Sequence, residues 1–205
     1  MNLFERAKNI LLTPKTEWPV IDGESDSVGN VFTGYAMPLA AIGPIIGALG
    51  MFFLSSLLGS FLGGMAHLGI GLGLGLAVIG FVMALVSVFV LGLIINALAP
   101  TFGGTPDQGR AIKLAVYSST ASWIGGLFAF IPLLGGLIAL VAWVYSIYLL
   151  YVGLPVMMKA PAEKAVGYTV VVIIAAILLW LLVSFVIGAI TTMAMVGGMA
   201  ALGAH

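Results

Sequence analysis

Charged side chains fall in only three short windows of the chain, residues 5–26, 107–113 and 159–164, and everything between and after them is uncharged and mostly apolar. A helix rises 1.5 Å per residue, so about 20 residues cross about 30 Å of hydrocarbon. The uncharged stretches 27–106, 114–158 and 165–205 therefore hold two, two and one crossings. We place these near residues 34–58, 74–99, 115–131, 133–154 and 165–190. Residues 170–183 show none of the apolar–polar alternation that a membrane β-barrel strand needs, and continuous apolar runs satisfy their backbone groups best as helices. The pattern predicts an all-α fold, a polytopic membrane helix bundle with about five transmembrane helices and an N-terminal amphipathic helix.

Two crossings in each of the first two stretches return the chain to its starting side, so the three charged windows share one face and the C-terminus ends opposite. Arg6, Lys8, Lys15, Arg110, Lys113, Lys159 and Lys164 are then all on one side. Positive charge collects on the cytoplasmic side, so the N-terminus is expected to be cytoplasmic and the C-terminus external.

Leu3, Phe4, Ala7, Ile10 and Leu11 recur at helical spacing, with Glu5, Arg6, Lys8 and Asn9 between them, and Asn2 with Glu5 fits a capping box. Such a helix either lies in the cytoplasmic leaflet interface or packs against the bundle. No small-residue cleavage site follows, so this N-terminus is expected to be retained. Pro14, Pro19 and the acidic residues Asp22, Glu24 and Asp26 read as a solvated connector rather than a metal site. The chain thus divides into a cytoplasmic segment, 1–26, and a transmembrane domain, 27–205.

Inside the membrane domain, Pro38 and Pro44 interrupt the first crossing, and Gly43 with Gly47 has the small-xxx-small spacing that lets helices approach closely. Gly59, Gly63, Gly64, Gly69, Gly71, Gly73 and Gly75 read as an external loop, without the spacing of a dinucleotide-binding fingerprint. Pro132 with Gly135 and Gly136 marks an external turn. Trp143, Tyr145, Tyr148 and Tyr151 serve packing and an aromatic belt, and residues 191–205 read as a frayed tail.

The densest polar segment follows Pro100. Arg110, Lys113 and Tyr117 share one helical face, with Trp123 beyond, and form a candidate site for an anionic lipid headgroup or a partner, or else ordinary interfacial anchors. Ser118, Ser119, Thr120 and Ser122 form a candidate polar cleft, unless their hydroxyls bond to carbonyls of their own helix.

Composition narrows the function. The 205 residues are 62% apolar and 7% charged with a net charge of zero, which gives no electrostatic footprint for nucleic acid. There is no cysteine, and the two histidines, His67 and His205, are far apart, so no metal or cofactor is expected. No general acid, base or nucleophile falls within the predicted membrane interior, which argues against an enzyme.

The order of several pieces is also informative: Phe4-Glu5-Arg6, Thr13-Pro14 with Trp18 and Pro19, Gly34-Tyr35 to Pro38, Phe102-Gly103-Gly104, Ala115 to Ser118 with Trp123, Tyr151 to Pro155, and Lys164 to Tyr168. This succession resembles the bacterial branch of the Yip1 family across essentially the whole chain. The resemblance implies a cytoplasmic N-terminus and five membrane helices in the bacterial cytoplasmic (inner) membrane. Eukaryotic members are associated with Rab GTPases and vesicle traffic. Their Asp-Leu-Tyr-Gly-Pro motif has no counterpart here, where Phe32-Thr33-Gly34-Tyr35 stands in that neighbourhood, and Ser119, Thr120 and Ala121 follow Tyr117-Ser118 where bacterial relatives often carry proline. The expected function is a non-catalytic membrane protein organising membrane lipids or an unknown protein partner, with a homo-oligomer through the glycine-rich faces. The alternative is a transporter or channel for a small neutral or lipidic solute.

Overall fold

The computed structural model describes residues 2–62, 65–128, 130–131 and 133–203, and among the described residues it contains helices and no strand. It is an all-α membrane helix bundle. Among the described residues, four helical stretches are long and apolar enough to cross a membrane, against about five expected: Val28–Phe53, Gly73–Phe102, Leu134–Met157 and Ala162–Ala194.

The N-terminal segment is a pair of short helices, α1 (Leu3–Leu12) and α2 (Pro14–Gly23). Asn2 caps α1 by accepting from the Phe4 N–H at 3.2 Å. The connector expected after Thr13 is instead α2: Pro14 occupies the first turn, where a missing N–H costs nothing, and Glu17, Trp18 and Ile21 are buried. Of the two roles foreseen for α1, packing is present, since Arg6, Ala7 and Ile10 are buried, while Phe4, Lys8 and Leu12 stay exposed along the outer face.

The first crossing begins with α3 (Val28–Val31), passes through a π-helical turn at Phe32–Ala36, continues as α4 (Met37–Ala40), turns at Ala41 and resumes as α5 (Ile42–Leu62). Both irregularities precede a proline. Pro38 and Pro44 have no N–H for the carbonyl four residues back, and the chain answers with a wider turn before one and a break before the other.

Helix α6 (Met65–Leu98) corrects the expected glycine loop: Gly69, Gly71, Gly73 and Gly75 are helical, while Gly63 and Gly64 lie outside the described residues. A helical glycine costs about 1 kcal/mol, less than the several kcal/mol of an unpaired backbone group in hydrocarbon. The same preference carries α10 (Ala162–Gly203) through the stretch expected to fray. A turn at Ala99–Phe102 ends α6, and Gly103 takes a left-handed φ of +72°. Gly104 has no room for a side chain, because a Cβ there would meet the Met158 carbonyl oxygen at 2.8 Å.

The third expected crossing, 115–131, is not one helix. It consists of α7 (Gln108–Ser118), α8 (Thr120–Gly125) and a last 3-10 turn at Gly126–Phe128, broken at Ser119. At the break the Ser119 and Thr120 hydroxyls bond to the Ala115 and Tyr117 carbonyls, and two glycines follow at the end of α8. The broken rod still runs antiparallel to α9 (Leu134–Met157), with Leu114 against Gly153, Ser122 against Ser146 and Gly125 against Ala142. Pro132 lies outside the described residues, and Gly135 and Gly136, expected in the turn, already belong to α9. Helix α6 packs on α5, α7 and α10, and α9 packs on α2, α7, α8 and α10.

Candidate functional site

The three charged windows converge at one end of the bundle. Asp22, at the end of α2, pairs with Arg110 of α7 through Oδ1 at 3.1 Å and with Lys159, just past α9, through Oδ2. Arg110 also lies 3.8 Å from Asp107, whose carboxylate caps α7 by accepting from the Arg110 N–H at 2.9 Å. Lys113 is buried and donates to the Glu24 carbonyl at 2.7 Å. Among the described residues, no three metal-ligating side chains form a group, and Asp22 and Glu24 face cations of the chain itself.

Beneath this surface lies Arg6, 4% exposed, which pairs with Glu17 at 2.6 Å and with Glu24. Burial works against its charge, but the hydrogen bond and charge of Glu24, with further help from Tyr117 and Glu17, hold the guanidinium above its ordinary value. Its carbon Cζ stands 5.6 Å from the centre of the Tyr117 ring. Tyr117 meets Trp18 edge-on at 6.5 Å and Tyr35 at 4.7 Å. The face shared by Arg110, Lys113 and Tyr117 thus looks onto the N-terminal segment. Trp123 is half-buried against the same core.

Tyr35, in the π-helical turn, shares a hydrogen bond of 2.8 Å with Thr120, whose hydroxyl also reaches the Tyr117 carbonyl at 2.7 Å. The irregular turn of the first crossing is therefore tied to the break in the α7–α8 rod. Around the break, Ser119 donates to the Ala115 carbonyl, while Ser118, Ser119 and Ser122 line a small cavity with Ser146 of α9. Thr120 points the other way, toward Tyr35.

Of the residues read as packing or kink positions, Pro38 and Pro44 follow the two backbone irregularities, Gly43 lies against Gly126, and Gly47 faces open space. Three closer approaches escaped the sequence. A Cβ on Gly92 would meet Ile112 at 2.8 Å, on Gly125 Ala142 at 2.7 Å, and on Gly153 both Leu114 and Trp18 at 2.5 and 2.6 Å. No spacing motif marks these, since their partners are distant in sequence. The Arg6–Glu17 pair escaped for the same reason. A separate apolar groove of about 680 Å³ lies between α5 and α6, lined by Pro44, Leu49, Leu74 and Phe81 among others.

The chain is 29% identical to the inner membrane protein YohC of Escherichia coli K12 over 158 residues, which cover 76% of this chain and 80% of that protein, and to the same degree to its counterpart in E. coli O6:H1. No solved structure gives a significant match. A family model of the Yip1 domain matches residues 8–185, nearly the whole span from α1 through most of α10, and the chain therefore belongs to the Yip1 family.

Proposed function

We propose that this chain is a non-catalytic protein of the bacterial inner membrane that organises lipids or partner proteins, with its N-terminus cytoplasmic and its C-terminus external. The observation that supports this most is the use of charge: Arg6, Arg110, Lys113 and Lys159 are all engaged by Asp22, Glu17 or the Glu24 segment and hold the α1–α2 hairpin against the bundle. Two recesses, of about 330 and 190 Å³, open among these groups, and in both the charges facing one another are cations and carboxylates of the chain that tie the hairpin down. The seven basic residues near that end fit a cytoplasmic face, and the related protein's name places it in an inner membrane.

With Arg110 and Lys113 occupied, the lipid-facing role moves outward. Phe4 and Leu12 are exposed, Lys8 stands between them, and Lys15 and Val20 continue the surface on α2. Apolar side chains beside lysines suit the headgroup boundary of an anionic leaflet. The apolar groove between α5 and α6 suits an acyl chain, and the open Gly47 suits the helix of a second copy.

Native mass spectrometry of the protein released from nanodiscs containing phosphatidylglycerol tests the proposal. The expected result is retained anionic lipid, reduced severalfold by the pair Lys8→Gln and Lys15→Gln, together with a population of oligomers. A lipid-free, strictly monomeric species would overturn it.

A further inference from the structure

Four passages, α6, α7–α8, α9 and α10, meet around a cavity of about 170 Å³. Leu91, Ser118, Ser146 and Ile173 line it, one from each passage. Each lies about three helical turns, roughly 15–17 Å along the axis, from the charged end of its own helix or span. The N-terminal hairpin reaches down beside it, since Tyr117, next to Ser118, faces Arg6, and Tyr145, next to Ser146, donates to the Leu11 carbonyl of α1, so the cavity lies on the apolar side directly beneath that cap.

Its walls are apolar apart from four serines, and the hydroxyl protons can be followed individually. The Ser119 proton goes to the Ala115 carbonyl at 2.8 Å. Ser122 and Ser146 are 2.8 Å apart, and Ser146 Oγ also accepts from the Ser122 backbone N–H at 3.2 Å. That pair has two hydroxyl protons and one bond between them, so one O–H remains without an acceptor. Ser118 is 5% exposed, and its Oγ has no hydrogen-bond partner. A buried polar group left unsatisfied is destabilising, and alanine would avoid that cost at nearly the same volume. The cavity is also well above the roughly 10–15 Å³ that one water needs.

We propose that this cavity beneath the N-terminal cap binds a small uncharged molecule bearing hydroxyl or amide groups, held by Ser118 and the Ser122–Ser146 pair beside Trp143. Its oxygen accepts the two unpaired O–H groups, and the Trp143 indole and Leu91 cover its carbon skeleton. An ion finds no counter-charge here, since no charged residue lines the cavity, and between these walls it would pay a large desolvation cost. The site is independent of the organising role proposed above and stands or fails by its own measurement.

The test uses the full chain, labelled with 5-fluorotryptophan, in nanodiscs, with glycerol and urea as probes and ¹⁹F NMR as readout. Trp143→Phe assigns the Trp143 signal, and Trp180, 65% exposed on α10, reports non-specific effects. The expected result is a saturable shift of the Trp143 signal with at least one probe while Trp180 stays still. Ser118→Ala with Ser146→Ala should weaken the apparent affinity at least tenfold, and Ser118→Ala alone, a single-oxygen deletion, should weaken it severalfold with an unchanged Trp18 signal. A Trp143 signal that does not move, that drifts linearly together with Trp180, or that titrates identically in the variants would overturn the proposal.

Discussion

Gly153 lies where the N-terminal hairpin presses hardest on the bundle, with Trp18 and Leu114 too close to admit a Cβ. Gly153→Ala should therefore cost about 1–3 kcal/mol by overpacking, seen as a lower unfolding temperature in detergent. Gly80→Ala, with nothing within 4 Å of the added methyl, should be neutral or slightly stabilising, as expected for a helical glycine. The buried pair below makes a second contrast. Arg6→Leu strands the Glu17 carboxylate without its cation, a loss of about 3–5 kcal/mol, and adding Glu17→Leu should recover much of it. Thermal unfolding of the two variants and the double variant checks this; an additive double variant would contradict the pairing. These residues were the least legible in the sequence. Arg110, Lys113 and Tyr117 share a face by spacing alone. Arg6 and Glu17, by contrast, stand 11 residues apart across a stretch whose two prolines hid a helix.

Among the elements, the paired irregularities are the informative ones. The π-helical turn and the break at Ser119 meet through Tyr35 and Thr120, so Thr120→Val should loosen both at once. A single hydrogen bond between membrane helices is worth about 0.6–1.7 kcal/mol. The expected sign is a drop of that size together with faster amide exchange across residues 115–125; unchanged exchange there would show that the bond does not hold the break. Pro38 and Pro44 announced the first irregularity, because a missing N–H is visible in any sequence. The serine run did not announce the second, because Ser and Thr back-bond to carbonyls in intact helices as readily as in broken ones. Helix ends were overcut at the glycines of α6 and in the last part of α10, where propensities measured in water misjudge a chain without water to bond.

At the scale of the molecule, the all-α membrane bundle and its common charged end were legible, since ionised groups are excluded from hydrocarbon whatever the helices do; the count of about five was not met, because the hydroxyl-rich third stretch is a broken rod and four stretches qualify as spans among the described residues. Which charges pair, and that they clasp the N-terminus, was not legible. The absence of native cysteine makes the proposed orientation easy to check. Single cysteines at Ser25 and Thr105 should react with an impermeant maleimide from one compartment, and one at Gly136 from the other. Reaction of all three from the same side would overturn the arrangement. Asp22 adds a constraint in time. It leaves the ribosome 137 residues ahead of Lys159, and at about 5–20 residues per second that is a wait of roughly 7–27 s. Over that interval the hairpin made first has Arg110 available late and Lys159 not at all, and the Trp18 and Ile21 face has no finished helix α9 to cover it. The segment synthesised first is thus among the last to dock, and nascent chains halted before residue 159 should remain open to protease at α2.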